Sequence, residues 1–279
     1  MIINYDSPGQ LCNRIWSLIP SIAYGLKYEE KVLVINFDEY LPVFSNLNRN
    51  KLIRFKSKKL LQRVFLSLKA RGYIQNGRSN VFRKLFNLNL IEGWSNRLGN
   101  REMVIEQSDN IRPLFDFKKD AVIAVNDFLS SQEKIVIVGV HIRRGDYKEW
   151  LDGIYYFSDE AYSRAMKDLE KQLLGEGEKV KFLICSNERI DLHNFSELDC
   201  FIIPESSSEK DLYALSKSDY IIGPPSSFSQ WASFYGKVPV CYMMCENQEL
   251  KLSDFSRIIS FNTFENGNIL DIEIGRASC

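Results

Sequence analysis

The stretch from Lys134 to Tyr147, KIVIVGVHIRRGDY, decides the fold class of this chain. Residues 135–140 form an almost unbroken apolar run rich in β-branched side chains, which is typical of a strand buried on both faces of a parallel sheet. The sequence becomes polar directly after this run, at His141. Because open α/β sheets bind ligands outside the carboxyl ends of their strands, the sequence predicts a ligand site here.

Four polar side chains crowd this strand end: His141, Arg143, Arg144 and Asp146. Arginine carries a fixed positive charge and a forked set of donors that suits phosphate. Side chains alternate along a strand, so both arginines can face one ligand only if the chain bends, and Gly145 is where a bend costs least. Two adjacent arginines are also typical of surface salt bridges, so that reading stays open beside the ligand site.

The rest of the second half alternates strands and helices, which predicts a doubly wound parallel sheet. Predicted strands are 179–186, 198–203, 219–223 and 237–243, and predicted helices are 158–174, 209–216 and 228–235. Ser226 and Ser227 follow a strand and precede a helix, where backbone N–H groups and two hydroxyls can bind an anion. Helix capping by these serines is the alternative.

The first half opens like a βαβ unit: a strand in residues 1–5, a helix over 10–27 and a strand over 31–37. Gly9 and Asn13 lie at the turn where a ligand approaches such a unit, although a plain tight turn explains them equally well. Further on, Ile111-Arg112-Pro113 is expected to be extended and 120–129 helical. These patterns predict an α/β protein with domains at 1–130 and 131–263 and a tail at 264–279.

The charge distribution is uneven along a chain of 279 residues whose net charge is zero. Residues 51–84 hold 11 Lys/Arg and no Asp/Glu, which leaves 25 Lys/Arg against 36 Asp/Glu elsewhere. Within this block the apolar residues Leu60, Leu61, Val64, Phe65 and Leu68 recur at helical spacing beside lysines and arginines. A basic amphipathic helix can lie on an anionic membrane or partner, or be an ordinary helix with a solvated face. Nucleic acid ranks lower, because the block has no recognised nucleic-acid motif.

The sequence gives little support for a metalloprotein, a membrane-spanning protein or a secreted protein. The six cysteines include no CxxC pair and the chain has two histidines, so no metal site is predicted and reduced thiols in a cytosolic protein are expected. No signal peptide and no apolar run near the roughly 20 residues of a membrane span are visible. The predicted location is cytoplasmic, with the final GRASC a loose tail.

His141 to Tyr147 resembles the HxRRGDY motif of the α-1,2-fucosyltransferases, within the wider GDP-fucose-dependent superfamily. Residues 9–14, GQLCNR, are similar to the GGLGNQ-type loop of these enzymes, with two glycines replaced by Gln10 and Cys12 and with Arg14 last. Residues 225–231, PSSFSQW, and the segments 111–115 and 211–219 are similar to other family motifs. The resemblance is scattered over residues 1–243 and leaves the basic insertion 51–100 unmatched.

This resemblance implies a GT-B architecture of two Rossmann-like domains, with GDP-fucose held mainly by the second domain and the acceptor on the first. It implies that Arg143 holds the β-phosphate and that Arg144 supports the phosphate or the sugar. It further implies guanine contacts from His141 and Asp211. The remaining donor contacts that it implies come from Ser226, Ser227, Gly9 and Asn13.

The resemblance also implies an inverting, metal-independent transfer without a cofactor. Negative charge grows on the β-phosphate as fucose leaves, and an arginine there stabilises the transition state more than the ground state. The acceptor hydroxyl needs a base, for which a carboxylate is the expected type. Asp146 and Glu149 are the candidates, although Asp146 fits an ion pair with a nearby arginine equally well.

Three hypotheses therefore remain from the sequence. The first is a fucosyltransferase that acts on a surface glycan, either free or lipid-linked, at the cytoplasmic face of a membrane that it contacts through residues 51–84. The second is a transferase of the same fold that uses another nucleotide sugar, as the altered loop at residues 9–14 suggests. The third is a non-catalytic nucleotide- or nucleic-acid-binding protein.

Overall fold

A computed structural model describes residues 1–74, 87–94, 98–132 and 135–271. The chain divides into two compact units, residues 1–119 and 120–279. Each unit is built on a parallel sheet flanked by helices, so the predicted α/β class is confirmed. The later part of the basic block, Lys134 and residues 272–279 with the expected loose tail fall outside the described ranges.

The first unit contains a four-stranded parallel sheet. Its strands are β1 (Ile2–Asn4), β2 (Val32–Val34), β3 (Ile53–Phe55) and β4 (Asn89–Ile91), in the order β3-β2-β1-β4. The predicted βαβ opening is present, because helix α1 (Leu11–Lys27) connects β1 to β2. The other helices of this unit are α2 (Lys59–Ala70), α3 (Arg101–Glu106) and α4 (Ser108–Ile111).

The expectation that Ile111-Arg112-Pro113 is extended was wrong. Helix α4 ends at Ile111, and a 3₁₀ turn follows at Arg112–Phe115. Proline is tolerated in a first helical turn, where its missing N–H has no partner to lose. The guanidinium of Arg112 donates to Asp109 Oδ1 at 2.8 Å one turn earlier, which favours helical over extended backbone.

The second unit contains a five-stranded parallel sheet, and its parallel strands confirm what the alternation of strands and helices predicted. The strand order in the structure is β7-β6-β5-β8-β9. Its strands are β5 (Val136–Ile142), β6 (Val180–Ser186), β7 (Cys200–Phe201), β8 (Tyr220–Gly223) and β9 (Val240–Tyr242). Its helices are α5 (Lys119–Ser130), α6 (Asp159–Gly175), α7 (Ser208–Leu215) and α8 (Ser227–Gly236). An antiparallel pair follows, β10 (Ile258–Ser260) with β11 (Thr263–Phe264).

The compact units divide one helix earlier than the domain boundary predicted at residue 130. Nearly all of α5 belongs to the second unit, where Phe128 lies 5.8 Å from the ring of Phe201. The hydroxyl of Tyr213 also donates to Asn126 at 3.2 Å. These contacts attach α5 to the elements that follow it in sequence.

The central strand β5 is buried as the sequence predicted. Val138, Val140 and Ile142 are fully buried in the core of the second unit. The aromatic side chains Tyr155, Phe157 and Tyr162 are buried in the same core. The residues of β5 that precede its polar end are therefore fixed by close packing, which limits how far the polar side chains can move.

The two units carry opposite net charges. Residues 1–119 contain 20 Lys/Arg and 10 Asp/Glu, whereas residues 120–279 contain 16 Lys/Arg and 26 Asp/Glu. The excess of positive charge in the first unit comes from the block at 51–84, where 11 of its basic residues lie. The net charge of the second unit therefore does not attract an anionic ligand, which has to be held by local positive or N–H-donating groups.

The longest helices that the structure describes, α1 and α6, have 17 residues each. In the described ranges no helix has the length and apolar character needed to cross a membrane. Cys12, Cys185 and Cys241 are buried free thiols, and burial raises the pKa of Cys241 to about 12. A thiol with so high a pKa is not a nucleophile at neutral pH.

Candidate functional site

His141 is the last residue but one of strand β5, and its imidazole ring is buried and neutral. Its ring stacks on Phe228 of helix α8, with 5.0 Å between ring centroids. Burial, aided by the positive charge of Arg143, lowers the pKa of His141 to about 3. Its Nδ1 atom is buried without a hydrogen-bond partner, so this side chain offers a neutral polar atom at the carboxyl end of the sheet.

Arg143 presents its guanidinium just beyond the strand. The side chain is 19% exposed and its Nη2 lies 2.7 Å from a carboxylate oxygen of Asp146, which is itself 63% exposed. The guanidinium carbon lies 5.4 Å from the ring centre of Tyr147. An arginine whose carboxylate partner faces water can exchange that partner for a phosphate at little cost, because exposed ion pairs contribute about 0–1 kcal/mol.

Arg144 is held from two sides. Its side chain forms an ion pair with Asp159, the first residue of α6, and both side chains are largely buried. Its backbone N–H donates to Asn187 Oδ1 at 2.8 Å, and Asn187 Nδ2 donates back to its carbonyl at 3.0 Å. Gly145 then turns the chain with a φ of +65°, the bend that the sequence predicted.

The loop after β8 lies against the loop after β5. The hydroxyl of Tyr147 donates to the buried carbonyl of Pro225 at 2.6 Å. A Cβ atom added to Gly223, whose φ is +155°, would lie 2.4 Å from the carbonyl oxygen of His141. Glycine thus allows the two chain segments to approach this closely. The predicted pairing of two successive polar strand ends is present in the structure.

Ser226 caps helix α8, the alternative that the sequence left open. Its Oγ accepts a hydrogen bond from the backbone N–H of Phe228 at 3.2 Å, and the side chain is buried. Ser227 is the first residue of the helix and is half-buried. The cap does not exclude an anion at this helix end, because other N–H groups of the first turn have no intrahelical partner.

Asp211 is a buried carboxylate in the first turn of α7. Its backbone carbonyl accepts from Cys185 Sγ at 3.8 Å, and Cys185 is the direct neighbour of His141 in the β5–β6 register. Ser206 donates to Asp211 Oδ1 at 2.6 Å. Burial raises the pKa of Asp211 to about 6, although the hydrogen bond from Ser206 opposes this rise. The first turn of α7, which carries Asp211, therefore contacts β6 beside the strand end that carries His141.

Gly9 lies in the first unit, at the turn between β1 and α1, and Asn13 lies in the first turn of α1. The buried Arg14 organises this turn by donating to the carbonyl oxygens of Gly9 at 3.1 Å and Asn36 at 3.2 Å. Its guanidinium also lies 4.8 Å from the ring centre of Tyr40. Arg14 is a position at which this sequence departs from the fucosyltransferase motif. Its hydrogen bonds connect the turn at Gly9 to the segment that follows β2.

Among the predicted bases, Asp146 and Glu149 differ in their contacts. Asp146 pairs with Arg143, as its alternative role predicted. Glu149 is exposed at the end of the short turn Gly145–Lys148. Along the chain, Asp146 is three residues and Glu149 six residues beyond Arg143. Over the residues that the structure describes, no three His, Cys, Asp or Glu side chains are grouped so that they could hold a metal ion.

Four residues of this site were missed by the sequence analysis or named without their contacts: Asn187, Asp159, Gly223 and Phe228. Asn187 gave a usable signal, because it follows strand β6 as the arginines follow β5. Gly223 sits at the end of its strand in the same way. Nothing in the sequence indicated that Asp159 pairs with Arg144. An acidic residue in the first turn of a helix is expected anyway, because it interacts favourably with the helix dipole.

The sequence model of glycosyl transferase family 11 matches residues 21–256. This range includes the polar ends of β5, β6 and β8 and leaves out the turn at residues 9–14. No curated protein matches the chain.

Several solved structures are similar to the chain. The fucosyltransferase NodZ from Bradyrhizobium has a TM-score of 0.57 and 17% identity, covering 91% of this chain and 96% of its own. NodZ, described as an alpha-1,6-fucosyltransferase and soaked with GDP-fucose, has a TM-score of 0.52 and 16% identity over 91% and 96% of the two chains. POFUT1 in complex with GDP-fucose has a TM-score of 0.56 and 9% identity over 86% and 97%. At these identities the likeness concerns the fold.

Proposed function

Because this chain belongs to glycosyl transferase family 11, and is therefore a glycosyltransferase, we propose that it transfers fucose from GDP-fucose to a hydroxyl of a glycan. Two proteins that share its fold support this donor: NodZ is described as soaked with GDP-fucose and POFUT1 as in complex with GDP-fucose. The proposed linkage is α-1,2, on the strength of the HxRRGDY-like segment at residues 141–147.

The observation that carries this proposal is the position of Arg143. Its guanidinium lies at the carboxyl end of the central strand of the second unit, largely buried yet paired with an exposed carboxylate. The resident Asp146 marks where an anion is accepted. In the proposed complex, the β-phosphate of the donor replaces Asp146 as the partner of Arg143. Arg144 is already engaged by Asp159 and Asn187, so it supports the loop that carries Arg143.

The proposed reaction is an inverting displacement. The acceptor oxygen attacks C1 of fucose on the face opposite the nucleotide, so the new C–O bond forms as the bond from C1 to the β-phosphate oxygen breaks. The acceptor proton passes to a carboxylate, and the electron pair of the broken bond leaves with GDP. Arg143 stabilises the charge that develops on the diphosphate, which accelerates the step because this charge is largest near the transition state.

Glu149 and Asp146 remain the proposed bases. Before the donor binds, the lone pairs of Asp146 face Arg143 at 2.7 Å. Once the donor phosphate pairs with Arg143, the carboxylate of Asp146 loses this partner and is free to accept a proton. Glu149 needs no such exchange. A base must reach the proton that it removes, directly or through one water, and either residue meets the chemical requirement for a carboxylate.

We further propose that Asp211 and His141 contact guanine. A carboxylate can accept from two N–H donors at once, as the Watson–Crick edge of guanine offers, whereas adenine offers no such pair. Asp211 is buried, and its carboxylate accepts a hydrogen bond from Ser206 at Oδ1. His141 remains neutral across physiological pH, so it adds a polar contact without adding charge. This arrangement favours a guanine nucleotide over an adenine nucleotide.

The Asp211→Asn variant is expected to lose the pH dependence of GDP binding. With a pKa of about 6, only about a tenth of Asp211 is ionised at pH 5, so GDP should bind wild type about tenfold more weakly at pH 5 than at pH 7. Titration calorimetry at both pH values measures this change. The asparagine variant binds the same GDP, so titration of the phosphate affects both proteins and cancels in the comparison.

The stability of the ligand-free protein should change in the opposite direction. A carboxyl pKa raised by folding means that the native state holds its proton more tightly than the unfolded chain, so this contribution to stability is lost as pH rises from about 4 to about 6. Over that window, urea melts should show wild type losing stability relative to Asp211→Asn. Parallel curves for the two proteins would contradict the raised pKa and the buried-carboxylate role.

Donor identity is tested by thermal unfolding with GDP-fucose, GDP, UDP and ADP, followed by GDP release in the presence of acceptor sugars. A ligand at 100 times its Kd adds about 2.7 kcal/mol to the free energy of unfolding, or a melting shift of roughly 5 °C or more. We expect shifts with the two guanine nucleotides alone. A shift with UDP would favour the alternative, a transferase of this family that uses another nucleotide sugar.

The acceptor is proposed to be a surface glycan, either free or lipid-linked, and the proposed site of action is the cytoplasmic face of a membrane. No metal ion or cofactor enters the proposed step. The opposite net charges of the two units favour donor binding by specific arginines over non-specific attraction, which distinguishes this proposal from general nucleic-acid binding.

A further inference from the structure

Helix α2 exposes apolar side chains on the face turned away from its sheet. Leu60 is 77% exposed and Val64 is 46% exposed, and their spacing of four residues places them side by side along one stripe. Phe65, by contrast, is buried in the core beneath the helix, with Leu61 and Leu68 packed against it. The exposed residues are therefore a second apolar stripe, which the described part of this unit does not bury.

Basic residues surround this second stripe. Lys58, Lys59, Arg63 and Arg71 are exposed, and none of the four forms an ion pair with any residue in the described ranges. No Asp or Glu lies between residues 51 and 74 to neutralise them. Lys69 differs, because it turns towards the sheet and pairs with Glu92 at 2.5 Å. We call Leu60, Val64 and these four basic residues the outer face of α2.

The outer face is held at a fixed position. On the opposite side of the helix, Gln62 Nε2 donates to the carbonyl of Tyr5 and to Ser7 Oγ, each at 2.9 Å. The rings of Tyr5 and Phe65 lie 5.6 Å apart in the core. After the helix ends, Tyr73 adds another exposed apolar side chain, at 69% exposure.

We propose that the outer face of α2 docks the protein on an anionic lipid bilayer. The four basic residues are complementary to anionic headgroups, and each basic residue near such a surface strengthens binding about fivefold. Leu60 and Val64 enter the boundary between headgroups and acyl chains, where their burial is favourable. Tyr73 suits the same boundary, because its ring is apolar and its hydroxyl is polar.

The exposed aliphatic residues favour lipid over nucleic acid or another soluble polyanion. Binding to single-stranded nucleic acid uses aromatic stacking together with positive charge, and duplex binding uses contacts to phosphates and base edges. Leu60 and Val64 contribute to neither. A bilayer is the partner that uses both the charges and the apolar side chains of the outer face. This docking surface is distinct from the donor site and goes beyond the proposed transfer reaction.

Flotation of the full chain with vesicles tests the proposal, with phosphatidylcholine alone compared with phosphatidylcholine mixed with phosphatidylglycerol. Binding to the anionic vesicles is expected, and it should weaken with added salt. The double variant Lys59→Gln/Arg63→Gln should bind roughly twenty-five-fold more weakly. The double variant Leu60→Ser/Val64→Ser should bind roughly tenfold more weakly or worse. Each variant should keep the melting temperature of wild type, because all four side chains are exposed.

The matched control is Lys171→Gln/Leu174→Ser on helix α6, where Leu174 is 56% exposed. This variant should bind vesicles like wild type. Tryptophan at position 60, from Leu60→Trp, should be quenched by brominated acyl chains, whereas tryptophan from Leu174→Trp should not. The proposal is overturned if the anionic vesicles are not bound. It is also overturned if the charge variant loses binding while the apolar variant retains it and Leu60→Trp stays unquenched, because the face would then bind polyanions in general.

Discussion

Replacing Arg143 with alanine is expected to lower kcat/KM for GDP-fucose by about a hundred- to a thousand-fold, the usual effect of removing one group that stabilises developing transition-state charge. The guanidinium of Arg143 lies at the end of the central strand, and the carboxylate that it pairs with, Asp146, faces water. Free GDP should also lose its stabilising effect on thermal unfolding. Steady-state release of GDP and melting curves with GDP measure the two losses in parallel.

Two variants make the Arg143 result interpretable. Arg143→Lys keeps the charge but loses the bidentate fork, so its activity should lie between wild type and alanine. Arg164→Ala removes another arginine of the second unit that pairs with a carboxylate, Glu246, and should leave turnover unchanged. The ligand-free alanine variant should melt close to wild type, because the lost ion pair has an exposed partner. Wild-type turnover in Arg143→Ala would remove the basis for the proposed mechanism.

Replacing Gly223 with alanine is expected to destabilise the protein by about 3 kcal/mol and to abolish donor binding. The new Cβ would meet the backbone carbonyl of His141 at 2.4 Å, and a backbone atom in a central strand cannot move aside as a flexible side chain can. The shift should lower the melting temperature by roughly 6–12 °C. Differential scanning calorimetry, followed by calorimetric titration with GDP, measures both effects.

Gly177→Ala provides the control for backbone conformation. Gly177 also has a positive φ, +84°, but no atom lies within 4 Å of an added Cβ. Its replacement should cost about 1 kcal/mol and leave GDP binding unchanged. If Gly223→Ala proves no more destabilising than Gly177→Ala, the close approach of the β8 loop to His141 is not needed to form the site.

The arrangement of strands in the second unit could be predicted because burial dictates its sequence. A strand such as β5 lies between layers of helices, so nearly every residue must be apolar, and the change to polar residues at His141 marks where the strand leaves the core. The same logic placed Ser226 at a helix start that follows a strand. Asp211 was named only through the resemblance to the family motifs, which also supplied the roles proposed for the other residues.

Short strands and turns of the first unit could not be predicted in this way. Strands β3 and β4 have three residues each, as β1 and β2 do, but polar or basic residues interrupt the apolar residues around them, and β3 lies within the basic block. The segment at 111–113 was wrong because a proline fits extended backbone and a first helical turn equally well. In that segment a side-chain contact, from Arg112 to Asp109, accompanies the helical turn.

The contacts within the site were hidden for a related reason. Which carboxylate pairs with which arginine depends on three-dimensional proximity, so Asp146 beside Arg143 could be guessed from three-residue spacing, whereas Asp159 beside Arg144 could not. The hydrogen bond from Tyr147 to Pro225 joins residues that are 78 positions apart. Sequence alone locates the groups that can react, and packing decides their partners.

The opposite charges of the two units have a practical consequence for handling the protein. A chain that is neutral overall near pH 7, yet strongly positive over residues 1–119 and strongly negative over 120–279, should adsorb to both cation-exchange and anion-exchange resins at the same pH. At low ionic strength, unlike regions of neighbouring molecules attract, while a net charge of zero provides no general repulsion. Purified stocks should therefore cloud on desalting and clear again when salt is restored.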